Sequence, residues 1–148
     1  MPAERRTILL VEDCPDDRFL LQKAWAEAGI ENPLRMLEDG QQACDYLSGM
    51  GKYADRASFP PPVLLLLDVK MPGKSGLEVL EWLRGRESSR RLPVIMMSAS
   101  THPKDAAEAY RLGANSFVIK PSSAAELVEF ASALKSYWLR FNEFAEVA

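Results

Sequence analysis

The chain has 148 residues, 47% of them hydrophobic, and a formal net charge of −3. That is the size of one ordinary domain, with enough apolar side chains for a core. No Lys/Arg-rich stretch marks a nucleic-acid surface, and the longest apolar run, residues 59–67, contains three prolines and is too short to span a bilayer.

The polar segment 1–6 is followed by no apolar signal sequence. Thr7-Ile8-Leu9-Leu10-Val11 predicts a first strand. Leu21, Ala24, Trp25 and Ala28 then fall at the i, i+3, i+4, i+7 spacing of one helix face. Pro15 suits the first turn of that helix and Gly29 its end. Residues 34–37 predict a weaker strand, suited to an edge. Asp39 with Gln42 resembles a capping box that starts a second helix towards Leu47. Residues 48–62 lack periodicity and read as a long loop. The run Val63-Leu64-Leu65-Leu66-Leu67 is bounded in front by Pro60-Pro61-Pro62 and ends at Asp68. It is too short for an ordinary helix and reads as a strand buried on both faces, as inside a parallel sheet.

Ser75-Gly76-Leu77-Glu78 is a second capping pattern, with Val79, Leu80 and Leu83 on the buried face of a third helix. Residues 93–97 predict a fourth strand ending at Ser98. Pro103 begins a small fourth helix that Gly113 ends. Residues 116–119 predict a fifth strand, followed by Lys120-Pro121. Ser123 with Glu126 caps a last helix that carries Leu127, Phe130, Ala131, Leu134, Tyr137, Trp138 and Phe141 and extends to about residue 146. The alternation gives a doubly wound (βα)5 sandwich, an α/β fold with a five-stranded parallel sheet of order 2-1-3-4-5. The chain reads as a single domain, residues 1–148, with its core at about residues 7–134.

In this order the first and third strands flank a switch point, where open α/β sheets bind ligands. Glu12 and Asp13 follow the first strand and Asp68 ends the third. Ser98 follows the fourth and Lys120 the fifth. Three converging carboxylates repel one another unless a cation intervenes. A hard divalent ion such as Mg²⁺ answers that need. With a carboxylate as acceptor and a hydroxyl and an ammonium beside it, the strand ends hold the parts of a phosphoryl-transfer site. Each part alone has a plainer reading: an acidic pair as a helix cap, Lys-Pro as a loop, Ser98 as a turn hydroxyl. The conjunction carries the inference.

The segments Leu10-Val11-Glu12-Asp13, Asp68-Val69-Lys70-Met71-Pro72-Gly73-Lys74-Ser75-Gly76, Pro93-Val94-Ile95-Met96-Met97-Ser98-Ala99 and Gly113-Ala114-Asn115-Ser116-Phe117-Val118-Ile119-Lys120-Pro121 resemble the receiver domain of bacterial two-component response regulators. Cys14-Pro15-Asp16-Asp17, Asp39-Gly40, the long loop through Tyr53 and Ser136-Tyr137-Trp138 are most similar to the single-domain regulators associated with phytochrome-type kinases. The resemblance implies that Asp68 accepts a phosphoryl group from a histidine kinase. It implies Mg²⁺ or Mn²⁺ on Asp13, Asp68 and the Lys70 backbone carbonyl, with Glu12 acting through water. Ser98 and Lys120 would bind phosphoryl oxygens, Phe117 would be the aromatic switch, and Lys70 and Ser100 would tune the dephosphorylation rate. It also implies a cis Lys120-Pro121 peptide. The changed surface would lie on the fourth helix, fifth strand and fifth helix, with Tyr110, Phe117 and Trp138 as partner contacts, a homodimer among them.

The expected protein is thus a cytoplasmic phosphoacceptor signalling in trans or acting as a phosphate sink, with no nucleic-acid or membrane partner. It is not an enzyme acting on outside substrates. Two alternatives stay open: a phosphate-independent interaction module of the same fold, and a small Asp-nucleophile phosphatase. Lys70 stands where such phosphatases carry a second Asp. Cys14 and Cys44 read as free thiols, Cys44 as a small core residue, and the role of Cys14 is open. His102, before Pro103, reads as a helix cap or a solvated side chain. Trp25 and Trp82 read as core or half-buried helix residues.

Overall fold

The computed structural model describes residues 6–145. In chain order the elements are β1 (Ile8–Val11), α1 (Pro15–Glu27), β2 (Leu34–Leu37), α2 (Gly40–Ser48), β3 (Leu64–Asp68), α3 (Gly76–Arg84), β4 (Val94–Ser98), α4 (Pro103–Arg111), β5 (Ser116–Ile119) and α5 (Ala124–Leu134). The sheet is parallel, in the order β2-β1-β3-β4-β5. The five apolar runs become strands because each is short and bounded by turn residues, and the parallel pairing buries the central three completely.

Side chains alternate across the sheet with period two. Leu9, Val11, Leu65, Leu67, Val94 and Met96 face α2, α3 and α4. Ile8, Leu10, Leu64, Leu66, Ile95 and Met97 face α1 and α5, together with Leu21, Trp25 and Leu134. Register is therefore fixed: sliding a central strand by one residue would exchange its two buried faces. The pairings Val11↔Leu67 and Asp68↔Met97 bring the C-terminal ends of β1, β3 and β4 to one rim.

The predicted caps form. Asp39 accepts from the Gln42 N–H (2.8 Å), Ser75 from Glu78 (3.2 Å) and Ser123 from Glu126 (3.1 Å). Gln42 closes its box one residue early, accepting from the Glu38 N–H (2.9 Å). His102 caps α4, its Nδ1 accepting from the Lys104 N–H (3.2 Å). Trp25 is buried and donates to the Asn32 carbonyl (3.1 Å), while half-buried Trp82 lies under the Arg86 guanidinium. Cys44 is buried.

Three expectations need correction. The last helix does not extend to residue 146, which lies outside the described residues. It widens to a π-helical stretch, Lys135–Phe141, and stops at extended Asn142. The reason is local: Phe144 turns back to stack on Trp138, with centroids 6.3 Å apart. Residues 48–62 are more than a loop. They hold a 3-10 turn at Gly51–Tyr53, and Tyr46, Tyr53 and Phe59 pack edge to face or tilted against one another. Arg56 pins that segment through the Tyr46, Tyr53 and Phe59 carbonyls. Lys120-Pro121 is trans and not cis. The trans bond is the intrinsically preferred isomer, and with it the Lys120 amine already reaches the acids of the rim.

Candidate functional site

Glu12, Asp13 and Asp68 stand at adjacent strand ends, and each offers a carboxylate oxygen within 4.8 Å of the others. Glu12 and Asp68 are buried, at 4% and 5% exposure, while Asp13 is half-buried. The backbone holds them there. The Glu12 N–H donates to the Leu37 carbonyl (3.0 Å) and the Val69 N–H, beside Asp68, to the Met97 carbonyl (2.9 Å). Arg18, one helical turn into α1, donates to the Glu12 carbonyl at 2.7 Å. The β3–α3 loop folds back tightly, with the Gly76 N–H donating to the Val69 carbonyl at 2.9 Å. A Cβ on Gly76 would sit 1.9 Å from the Asp68 carbonyl oxygen, so this approach requires glycine.

Lys120 enters from the end of β5. Its ammonium pairs with Glu12, with Asp17 at 3.2 Å and with Asp68 at 3.4 Å. The Lys120 N–H donates to the Ser98 carbonyl (2.8 Å), which couples the two strand ends. Ser98 is 1% exposed, and its hydroxyl oxygen accepts from the Ser100 N–H at 3.0 Å, leaving the O–H proton to donate elsewhere. Lys70, two residues past Asp68, is exposed.

The electrostatics follow from burial. Glu12 is pushed up to about 8, first by burial and then by the hydrogen bond and charge of neighbouring Asp68, against the pull of Lys120. One ammonium is shared among three acids, so its pull on Glu12 does not cancel the effect of burial. Burial works against the charge on Lys120, but the Glu12 hydrogen bond and the Asp68 and Glu12 charges outweigh it and raise its pKa. Such a set fits a hard divalent cation: oxygen-only donors, crowded, two of them buried, and short of positive charge. A cleft of about 410 Å³ opens beside it, lined by Glu12, Asp17, Lys120, Leu20, Pro121 and Leu127 among others.

The structure thus brings together Glu12, Asp13, Asp68, Ser98 and Lys120. Tyr110 and Phe117 also meet: the phenolic oxygen of Tyr110 accepts from the Phe117 N–H at 3.2 Å. Phe117 packs against the α2/α3/α4 layer of the core, whereas Trp138 packs in the α1/α5 layer between Tyr137 and Phe144. Sequence reasoning missed two contacts, Asp17 to Lys120 and Arg18 to Glu12. The only signal for the first was an acid one turn past the acidic pair.

The response regulator receiver domain family matches residues 8–132. The chain is similar to response regulator Rcp1 of Synechocystis sp., 32% identical over 134 residues that cover 90% of this chain and 89% of the relative. The crystal structure of the Mn²⁺-bound form of Rcp1 superposes with a TM-score of 0.85 at 30% identity, covering 95% and 99% of the two chains. Response regulator RPA3017, in red light signaling of R. palustris, gives 0.91 at 36% identity over 95% and 99%. The phosphorylated cyanobacterial phytochrome response regulator RcpA gives 0.88 at 30% over 96% and 99%.

Proposed function

The chain belongs to the response regulator receiver family, a family of signalling proteins, and on that footing we propose that Asp68 accepts a phosphoryl group from a histidine kinase. The observation that carries this reading is the meeting of Asp68 with Glu12, Asp13 and Lys120 at one rim of the sheet. A carboxylate oxygen of Asp68 forms a P–O bond as the P–N bond of the kinase phosphohistidine breaks. The electron pair stays on the imidazole nitrogen. Lys120 pairs with one phosphoryl oxygen and the Ser98 hydroxyl donates to another. Both groups are fixed donors against the charge that develops on the phosphoryl oxygens. Asp13, Asp68 and the Lys70 carbonyl, with Glu12 through water, would hold a divalent ion, Mg²⁺ or Mn²⁺, which would supply positive charge against the developing anion. The manganese in the Rcp1 structure supports this assignment.

Phosphorylation draws Ser98 towards the new anion, and Phe117 moves into the space released. Phe117 is tied to Tyr110, so the change reaches α4 and β5, and through them α5. That surface serves partners or a second copy of the chain. Tyr110, 53% exposed, is its accessible contact, with Phe117 beside it and Trp138 on the α1/α5 side. Lys70 and Ser100 set the lifetime of the adduct. Lys70 also leaves no second Asp for turnover of outside substrates, so the protein is a switch and not a phosphatase. The similarity to RcpA and RPA3017 supports a phytochrome-type kinase as donor. A cytoplasmic place beside that kinase belongs to the same reading. No helix among the described residues is long and apolar enough to cross a membrane. One sheet covered on both faces by its own helices supports reading the chain as a single domain.

Incubation with phosphorylated histidine kinases tests the donor. Label should pass to the wild type in the presence of Mg²⁺ and stop on chelation. Transfer indifferent to the chelator would remove Asp13 from its metal role.

A further inference from the structure

The Lys120 ammonium has three N–H donors and three carboxylate partners: Glu12, Asp17 at 3.2 Å and Asp68 at 3.4 Å. Two of those donors are hydrogen-bonded, to Glu12 and Asp17, before any phosphoryl group arrives, while Asp68 is held by charge at 3.4 Å. Two of these partners belong to the reacting centre, since Glu12 and Asp68 are buried members of the acidic set. The third does not. Asp17 sits in the first turn of α1 with a side chain 43% exposed, and lies closer to the ammonium than Asp68 does.

From this geometry we infer that Asp17 is a positioning residue that holds Lys120 towards α1, in competition with the phosphoryl group on Asp68. The inference rests on the phosphoacceptor reading of Asp68. When Asp68 becomes an acyl phosphate, the carboxylate loses its charge and the phosphoryl oxygens become the stronger acceptors. Glu12 remains needed beside the cation. Asp17 is then the partner that competes with the phosphoryl oxygen without contributing to its binding. Because it is partly solvated, its hold is weak enough to release, so it acts as a restraint on the activated state and not as a block. Its removal frees the amine and lowers the negative potential at the cleft.

Two variants and two readouts test this. With Mg²⁺ saturating, beryllofluoride is titrated calorimetrically as a non-covalent phosphoryl analogue. Asp17→Asn should bind it about two- to fivefold more tightly than wild type, the size expected of one partly exposed ion pair. Asp17→Glu, which restores the acid, should return towards the wild-type affinity. A merely structural role would weaken binding in Asp17→Asn and would not be rescued by charge. Independently of any phosphoryl analogue, the ¹H–¹⁵N resonance of the Lys120 ammonium in the metal-free protein should shift in Asp17→Asn and return in Asp17→Glu. Equal or weaker beryllofluoride affinity in Asp17→Asn, or an unmoved ammonium resonance, overturns the inference. Failure of the wild type to bind the analogue would instead count against Asp68 as acceptor, and the resonance would still decide whether Asp17 holds Lys120.

Discussion

Glu12 carries the largest pH consequence at the level of single residues. Its folded pKa, about 8, lies above the ordinary value of 4.5, with burial as the main cause. Between those values the folded protein holds a proton that the unfolded chain has released, so stability falls as pH rises. The contribution is complete below the unfolded pKa and is lost as pH passes through about 8. Lys120, whose pKa is also raised, loses its contribution only at more alkaline pH. In denaturant titrations without metal, the wild type should therefore be less stable at pH 8 than at pH 5, and Glu12→Gln should show a smaller fall. A cation needs the ionised acids, so added Mg²⁺ should stabilise the wild type more at pH 8 than at pH 5. Equal stabilisation at both values would contradict the upward shift. Glu12, Asp13, Asp68, Ser98 and Lys120 were legible in the sequence because each ends an apolar run or follows one within two residues. Asp17 was not, because an acid in a first helical turn already has a sufficient role in facing the helix dipole. Its reach to Lys120 depends on how α1 meets the end of β5.

Among the elements, the junction of β3 with α3 decides whether Asp68 is correctly held. Gly76 opens α3 against the Asp68 backbone, and a Cβ there meets the carbonyl oxygen at 1.9 Å. Gly76→Ala must push the helix or the strand end aside. It should cost about 1–3 kcal/mol, as overpacking typically does, and should weaken Mg²⁺ binding because Asp68 is displaced. Unchanged melting and metal affinity would mean that the loop yields freely. The strands and helix starts were readable because apolar runs, capping side chains and prolines act within a few residues. The end of α5 was not. Its aromatic pattern continues past Leu134, but the stop is set by Phe144 returning to Trp138, a contact that periodicity does not encode. Residues 48–62 escaped for a similar reason: Tyr46, Tyr53 and Phe59 cluster, although their spacing matches neither helix nor strand. The trans Lys120-Pro121 bond differs from what family resemblance implied, and no local sequence feature distinguishes the two isomers.

At the scale of the whole molecule, the sheet divides the apolar side chains into two layers, and the site sits on the rim between them. Phe117 belongs to the α2/α3/α4 layer and contacts Tyr110 through its N–H, while Trp138 belongs to the α1/α5 layer. Any surface spanning α4, β5 and α5 therefore crosses the sheet edge, and Tyr110 is an exposed aromatic on its α4 side. If activation promotes a dimer there, beryllofluoride with Mg²⁺ should increase the sedimentation coefficient of the wild type. The same treatment should leave Tyr110→Ala monomeric. A dimer that persists in that variant would place the interface elsewhere. The order 2-1-3-4-5 was accessible from the alternation of strands and helices, because right-handed crossovers leave few arrangements of five strands. Which aromatics remain exposed was not, because that depends on the packing of elements distant in sequence.

The central claim is that Asp68 is the acceptor, and intact-mass measurement after treatment with a small phosphodonor and Mg²⁺ tests it most directly. A single phosphoryl adduct should appear on the wild type and be absent from Asp68→Asn. Labelling of Asp68→Asn to the wild-type level would contradict the account.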